Sequence, residues 1–477
     1  MKRLNAWTTY DQKMNEDCSR FAKEYMRFLD ECKTERECAD RVVNDLEAAG
    51  FRELSRLIGE KKQLKPGDLV YSVWMNKSVA AFRIGEAPME EGLNILGAHI
   101  DSPRLDVKQN PLYEDTGFAY LDTHYYGGIK KYHYVARPLA LHGVVVKKNG
   151  ETVVVSVGED EDDPVFFISD ILIHLSREQM KKDAAHVVEG ENLDLIIGSS
   201  PIRIDAESAA GSEGKEPPKD NAVRDAVLQI LLEEYGIEEE DFESAELEIV
   251  PQGKAREAGF DRSMILAYGQ DDRVCAYPSL RAILDVKNPR RTACCLLVDK
   301  EEIGSVGATG MRSRFFENAL AELMNLTGEY SDLALRRALA NSCMLSSDVS
   351  AAYDPLYASC FEKKNAAIMG EGLVFNKFTG SGGKSGSNDA NAEYIAHLRS
   401  IFGEADIRTQ TAELGKVDAG GGGTIAYILA LYGMNVIDCG VAVLSMHSPY
   451  EAASKADLYE AYRAYCAFLM KADLRNS

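Results

Sequence analysis

Ala293-Cys-Cys-Leu-Leu-Val298 is an unbroken apolar run that leads directly into Asp299-Lys-Glu301-Glu302-Ile-Gly-Ser-Val-Gly307. Such a run is typical of a strand buried on both faces, as in a parallel sheet covered by helices. Open α/β sheets bind ligands beyond the carboxyl ends of their strands, where Glu301 and Glu302 follow. Because successive side chains point to different sides, we predict one general base and one metal ligand. For the pair alone, a solvated acidic loop is the alternative.

Composition restricts the class of protein. The chain has 477 residues, enough for two domains, and 54 basic against 76 acidic residues give a net charge of −22. This charge repels nucleic acid and anionic membranes. No apolar run approaches the roughly 20 residues of a membrane span, and the N-terminus lacks an apolar signal core. Ten cysteines without a C-x-x-C pair fit reduced thiols. We expect a cytoplasmic protein with no nucleic-acid or membrane partner.

The order of patterns along the chain predicts an interrupted α/β domain. Residues 16–49 have helical periodicity, 69–74 and 78–84 resemble paired strands, and 94–99 resemble a third strand. After Pro111 the sequence becomes rich in Tyr and His and then alternates like β-strands. We predict that residues 1–111 plus 254–477 form a catalytic domain with a mixed central sheet flanked by helices, and that 112–253 form an inserted β-rich domain.

Two finer predictions concern single segments. The polar, Gly- and Pro-bearing stretch 211–220 is predicted to be an exposed loop. Residues 335–345 are predicted to be helical. Both predictions follow from local pattern alone.

Potential metal ligands follow several strand-like or apolar runs: His99 with Asp101, Asp271 with Asp272, Glu301 with Glu302, Asp348, and His447. Imidazoles and carboxylates suit zinc, manganese or cobalt, and this set is large enough for two ions. Each signal is weak alone, since a His-x-Asp or Asp-Asp-Arg is usually structural. The motifs of zincins, nucleophile elbows and phosphate loops are absent from the sequence. Together the residues predict a metal-assisted hydrolase in which Glu301 accepts the proton of an attacking water.

Five motifs carry a resemblance to a known family: Gly97-Ala-His99-Ile-Asp101-Ser-Pro-Arg-Leu105, Asp271-Asp-Arg273, Asp299-Lys-Glu301-Glu302-Ile-Gly-Ser305, Ser347-Asp348-Val-Ser-Ala-Ala-Tyr353 and Met446-His447-Ser448. In their order, over essentially the whole chain, they resemble the aspartyl aminopeptidase family of metallo-aminopeptidases. Asp272-Arg273 is nearer its bacterial branch. The family's fold is an α/β catalytic domain with an inserted β-rich domain that forms dimers and, from them, a dodecamer.

The resemblance implies a role for each site residue. It implies two zinc-type ions, with His99 and Asp348 on one, Glu302 and His447 on the other, and Asp271 bridging both. Glu301 resembles the general base and Asp101 the carboxylate that orients His99. His174 resembles a histidine that reaches into the active site of a neighbouring subunit, although its local pattern alone indicates a strand residue.

We therefore expect a binuclear metallo-aminopeptidase that removes N-terminal residues from short peptides, with zinc as its metal and cobalt or manganese as alternatives. Acidic N-terminal residues are one option for its preference, and the sequence leaves open which lysine between Lys377 and Lys384 would contact them. One alternative is the same scaffold acting as a carboxypeptidase or N-deacylase. Another is a non-catalytic, metal-bound assembly protein.

Overall fold

A computed structural model describes residues 4–201 and 220–474. Of the predicted loop 211–220, only Asp220 lies within the described residues. The chain forms two compact units. The first contains the described residues up to Ser102, Ala255–Met446, and those from Tyr450 onward. The second contains the described part of Pro103–Lys254 together with His447–Pro449.

The bounds of the regular elements are as follows. The α-helices of the described residues are α1 (Gln12–Glu31), α2 (Glu35–Ala48), α3 (Leu54–Gly59), α4 (Ala222–Ile230), α5 (Gln270–Asp285), α6 (Phe315–Thr327), α7 (Asp332–Ala340), α8 (Ala392–Glu404), α9 (Ala426–Ala430) and α10 (Lys455–Lys471). The strands are β1 (Arg52–Glu53), β2 (Leu69–Trp74), β3 (Ser78–Arg83), β4 (Asn94–His99), β5 (Arg104–Asp115), β6 (Phe118–Tyr126), β7 (Leu139–Val146), β8 (Thr152–Val157), β9 (Leu195–Gly198), β10 (Ala245–Pro251), β11 (Arg256–Ala258), β12 (Met264–Ala267), β13 (Ala293–Val298), β14 (Cys343–Ser346), β15 (Ser350–Ala351), β16 (Leu373–Asn376), β17 (Thr409–Ala412), β18 (Asn435–Gly440), β19 (Ala442–Leu444) and β20 (Glu451–Ser454).

The first unit is built on a nine-stranded mixed sheet with the order β1-β2-β3-β13-β4-β14-β18-β16-β17. Four adjacent strands of this sheet run parallel: β13 pairs with β4, β4 with β14, and β14 with β18. On its other side β13 pairs antiparallel with β3. A second sheet of this unit has the order β11-β12-β20-β19-β15. The mixed sheet flanked by helices confirms the predicted fold class.

Strand β13 is buried on both faces, as its unbroken apolar sequence predicts. Cys295 and Leu297 pack into a core shared with α1, α2, α5 and α10, whereas Cys294 and Leu296 pack into a core shared with α3, α6 and α7. Side chains alternate between the faces of a strand, so an apolar run without polar interruptions is needed to fill both cores.

The predicted helical segment 16–49 forms two helices, α1 and α2. The side chain of Thr34 accepts a hydrogen bond from the backbone N–H of Glu37, while the Glu37 carboxylate accepts one from the backbone N–H of Thr34. This capping box starts α2 and separates it from α1.

The helix predicted over residues 335–345 is wrong beyond Ala340. Helix α7 ends there, and Cys343–Ser346 is strand β14, buried in the centre of the large sheet. Four apolar or small residues cannot be assigned to a helix or a strand from periodicity alone. Pairing with β4 and β18 on its two sides fixes them as a strand.

The second unit contains a six-stranded sheet with the order β8-β7-β10-β5-β6-β9 and its own apolar core. Its strands pair antiparallel. The unit begins at Pro103, earlier than the predicted boundary at residue 112, because β5 runs across that boundary. A role for this unit in dimerisation remains a prediction.

None of the helices in the described ranges combines the length and apolar character needed to cross a membrane.

Candidate metal centre

Parallel strands bring the predicted site residues of the first unit to one edge of the sheet. His99 is the last residue of β4 and lies in register with Val298, the last residue of β13, so Asp299 and the two glutamates leave the sheet beside it. Asp348 follows β14, the neighbour of β4 on its other side. The parallel direction of these three strands therefore concentrates ligands that are distant in sequence.

His99 is buried and has a different carboxylate neighbour at each ring nitrogen. Its Nε2 lies 3.1 Å from Oδ1 of Asp271 and 3.9 Å from Oδ1 of Asp348. Its Nδ1 lies 3.0 Å from the carbonyl oxygen and 3.3 Å from Oδ1 of Asp101. A proton on Nδ1 is thus held by Asp101, which leaves Nε2 facing the other two aspartates as a donor for a metal.

Asp101 also fixes the loop that follows β13. Its Oδ1 accepts a hydrogen bond of 3.1 Å from the backbone N–H of Glu301, and its Oδ2 accepts one of 3.2 Å from the backbone N–H of Glu302. One fully buried carboxylate therefore sets the positions of His99 and of both glutamates relative to each other.

Asp271 and Asp272 precede the regular turns of α5, and both have non-helical backbone angles. Oδ2 of the buried Asp272 accepts a hydrogen bond of 3.3 Å from the backbone N–H of His99. The backbone N–H of Asp271 donates to Oε2 of Glu451 at 3.0 Å, and its carbonyl accepts from Oγ of Ser102 at 2.8 Å. These contacts hold the Asp271 carboxylate against His99.

The donor set fits a divalent cation. Ligand atoms of His99, Asp271 and Asp348 lie within 4.8 Å of one another, as do those of His99, Glu301 and Glu302. Burial, together with repulsion from Glu301, raises the pKa of Asp348 well above its ordinary value. Carboxylates buried this close together repel one another, and a cation removes that repulsion. Imidazole nitrogen and carboxylate oxygen are ligands that zinc accepts.

The neighbouring carboxylates also shift the pKa of the imidazole. Burial lowers the pKa of His99, but hydrogen bonds to Asp101 and Asp271 outweigh burial and raise that pKa well above its ordinary value. The neighbouring carboxylates therefore favour positive charge at this position, which a bound metal ion would also supply.

His447 and His174 belong to the second unit. His447 lies three residues beyond β19, and its Nδ1 is 2.9 Å from the carbonyl oxygen of Gly128 in the same unit. The local pattern alone predicted that His174 is a strand residue, and this is wrong. The residue lies in an exposed turn. Its role in a neighbouring subunit, and the role of His447 as a ligand, remain predictions.

Sequence reasoning missed two contributors to the site, Ser102 and Glu451. Ser102 directly follows Asp101, and Glu451 begins β20, where its side chain is buried. A lone glutamate among small residues becomes a signal only when the strand is known to be buried.

The structure also distinguishes the two lysines of the glycine-rich loop. Nζ of Lys384 lies 3.0 Å from Oδ2 of Asp389 and 3.8 Å from the ring centroid of Phe378. Lys377 is exposed.

A mixed α/β sheet whose parallel strands end in a buried imidazole and a group of carboxylates is suited to a metal-dependent hydrolase. The chain belongs to the aminopeptidase I zinc metalloprotease (M18) family, whose model matches residues 28–469. It is therefore a metallo-aminopeptidase with zinc as its cofactor, as the resemblance implied.

Relatives of high identity cover nearly the whole chain. A probable M18 family aminopeptidase 1 from Clostridium acetobutylicum is 57% identical over 465 residues, which are 98% of this chain and 97% of the relative. The crystal structure of aminopeptidase I from the same organism is 54% identical, with a TM-score of 0.88 and coverage of 98% of this chain and 99% of that chain. An M18 family aminopeptidase structure from Thermotoga maritima is 44% identical, with a TM-score of 0.91 and coverage of 99% and 100%.

More distant structures share the fold. The S. cerevisiae mApe1 chain, described as a dodecamer, is 20% identical, with a TM-score of 0.72 and coverage of 94% of this chain and 95% of that chain.

Proposed function

We propose that this aminopeptidase removes N-terminal residues from short peptides with two zinc ions. The proposed ligands are His99, Asp271, Glu302, Asp348 and His447. The observation that carries the proposal is the pair of donor groups that share His99. These groups contain four of the proposed ligands, His99, Asp271, Glu302 and Asp348, and His447 is proposed as the fifth, one more than a single tetrahedral zinc binds.

Glu301 is proposed as the general base. It is half-buried among the donor groups, and its backbone N–H is held by Asp101. Zinc, when bound, supplies positive charge that polarises the scissile carbonyl and lowers the pKa of water. Glu301 accepts a proton from the attacking water and returns it to the leaving amine, while Asp101 keeps His99 in its ligating tautomer.

The decisive experiment compares Glu301→Gln with Glu302→Gln, a matched pair of neighbours. Metal content is measured by mass spectrometry and activity with aminoacyl-p-nitroanilides. We expect two zinc ions per chain in the native protein. Glu301→Gln is expected to keep the zinc and lower kcat by roughly 10²- to 10⁴-fold, whereas Glu302→Gln is expected to lose zinc. One ion per chain, or an active Glu301→Gln variant, would contradict the proposal. Identification of the released residue separates aminopeptidase from carboxypeptidase and N-deacylase activity.

We also infer a homo-dodecamer assembled from dimers, in which His174 of one subunit completes the site of a neighbour. Support comes from the turn around His174, where Ile173 and Leu175 are 69% and 68% exposed. Apolar side chains exposed in adjacent positions are typical of surfaces that become covered on assembly. The dodecamer described for S. cerevisiae mApe1 has the same fold.

Subunit complementation tests this assembly. His174→Ala and Glu301→Gln variants, each of low activity alone, are dissociated, mixed and reassembled. A mixed particle contains intact sites that receive His174 from the other variant, so activity is expected to reappear in a particle of dodecameric mass. Full activity of His174→Ala alone, or a monomeric mass in light scattering, would refute the inference.

The finer specificity is proposed to favour acidic N-terminal residues through Lys377, because Lys384 is engaged by Asp389. Lys377→Ala is expected to raise KM for aspartyl and glutamyl substrates but not for leucyl substrates, with Lys384→Ala as the matched control. Equal KM changes for both classes of substrate would exclude this role. A cytoplasmic location is proposed from the acidic composition and the cysteine usage and is tested by cell fractionation.

A further inference from the structure

We propose that Arg273 is a positioning residue that holds the His99 and Asp271 segments of the metal centre together. This inference rests on the proposed metal site. It assigns a function to a side chain that contacts neither substrate nor the ligand atoms, and it follows from how a fully buried guanidinium is satisfied.

Arg273 connects three segments of the chain. Its Nη2 donates to the carbonyl oxygen of Lys33 at 2.9 Å and to that of Ile100 at 3.4 Å. Ile100 lies between His99 and Asp101, and Arg273 itself lies two residues after Asp271. The guanidinium therefore links the backbone of one ligand-bearing segment to that of the other, behind the ligands.

The charge of Arg273 is placed in an unusual environment. The side chain is 0% exposed, and its hydrogen bonds within the described residues go to two backbone carbonyls and a thiol rather than to a carboxylate. Its Nε instead lies 3.2 Å from Sγ of Cys38, and its guanidinium carbon lies 5.5 Å from the ring centroid of Tyr268. A buried charge without strong compensation costs several kcal/mol. Burying this charge therefore lowers the stability of the fold, which supports a function for Arg273 in the site.

The cysteine responds to the guanidinium. Burial raises the pKa of Cys38, but the hydrogen bond from Cys32 and the charge of Arg273 outweigh burial and lower it. The Cys38 sulfur accepts the Nε–H of Arg273 without placing another carboxylate beside the metal ligands. Asp271 and Asp348 thus remain available to a cation.

Gly269 gives the guanidinium its space. A Cβ at this position would lie 1.8 Å from Nη1 of Arg273, and the residue has a φ of +71°. Both features require glycine. The backbone that leads into Asp271 is therefore shaped around the guanidinium.

A lysine at position 273 cannot make the contacts of the arginine. The planar guanidinium directs several donors at fixed angles, whereas an ammonium is a single point on a flexible stem. Arg273→Lys keeps the charge but cannot contact Lys33, Ile100 and Cys38 together. Loss of partners outside the ligand shell typically weakens metal binding by about 10- to 100-fold, and we expect this loss for Arg273→Lys.

Arg291 provides a matched control. It is 1% exposed and donates to the carbonyl oxygens of Asn341 and Leu474, both at 3.2 Å. It lies before the start of β13, at the end of the strand opposite to Asp299. Arg291→Lys should therefore lose stability without affecting the metal centre.

The experiment measures zinc affinity by chelator competition, the visible absorption spectrum of the cobalt-substituted protein, and kcat and KM. For Arg273→Lys we expect weaker zinc binding, an altered cobalt spectrum and a lower kcat with nearly unchanged KM. Arg291→Lys should match the native protein in all three. The inference is overturned if the two variants lose similar thermal stability and neither changes zinc affinity or the cobalt spectrum.

Two further variants serve if Arg273→Lys does not fold. Gly269→Ala displaces the guanidinium while keeping its charge, and Cys38→Ala removes the contact at Nε; each is expected to weaken zinc binding. Native zinc affinity in both variants overturns the inference while the proposed function stands. A native protein that binds no zinc overturns the proposed function and this inference together.

Discussion

Replacing Asp101 by asparagine tests the geometry of the centre most directly. The carboxylate accepts the backbone N–H groups of Glu301 and Glu302 and lies beside Nδ1 of His99. The asparagine Oδ1 can accept only one of these N–H groups, and its amide nitrogen faces the other. A buried N–H without an acceptor costs about 1–3 kcal/mol. The weaker hold on His99 should in addition lower zinc affinity by about 10- to 100-fold.

A second buried aspartate separates these two effects. Asp457 accepts the backbone N–H groups of Gly370 and Gly372, both at 2.7 Å, and does not contact the centre. Asp101→Asn and Asp457→Asn should therefore lose similar free energies of unfolding in urea. Only Asp101→Asn should bind zinc more weakly in chelator competition and lose activity. If Asp101→Asn kept native zinc affinity and kcat, the argument that this carboxylate orients the ligands would be refuted.

Three further predictions use the same measurements. Burial raises the pKa of Asp457 to about 7, so its contribution to stability is complete below the unfolded pKa of about 4 and is lost as pH rises through about 7; Asp457→Asn should flatten the dependence of unfolding free energy on pH in that window, and an unchanged slope would contradict this. Removal of zinc by a chelator should lower the melting temperature, because the carboxylates around His99 then repel one another, and zinc but not magnesium should restore it. Ser102→Ala should cost about 1 kcal/mol of stability through the lost hydrogen bond to Asp271, and a loss no larger than that of an exposed serine would exclude the contact.

The sequence predicts those parts of the molecule in which local pattern and tertiary role agree. β13 is recognisable because a strand between two cores needs apolar residues at every position, and the residues after it are then placed by the parallel topology. Cys343–Ser346 is not recognisable as a strand, because only its pairing partners define it. The start of the second unit at Pro103 has no sequence signal for a similar reason, since β5 follows directly and carries no change in composition.

The contacts behind the ligands were also beyond sequence reasoning. Glu451 lies 180 residues after Asp271, whose backbone N–H it accepts. Arg273 lies 174 residues after His99, whose segment it supports. Their roles depend on burial and on distances between segments, neither of which has a periodic signature. Asp101 differs because a carboxylate two residues after a ligating histidine is a recurrent local arrangement.

The register between β4 and β13 and the lengths of these two strands determine where Glu301 and Glu302 lie relative to His99. Each residue advances a strand by about 3.3 Å and reverses the face of every later side chain. Deleting one residue from Ala293–Val298 would exchange the contents of two cores and withdraw both glutamates from His99. Gain or loss of single codons should therefore be tolerated at hairpin tips of this protein but eliminated from these six positions in any library selected for activity.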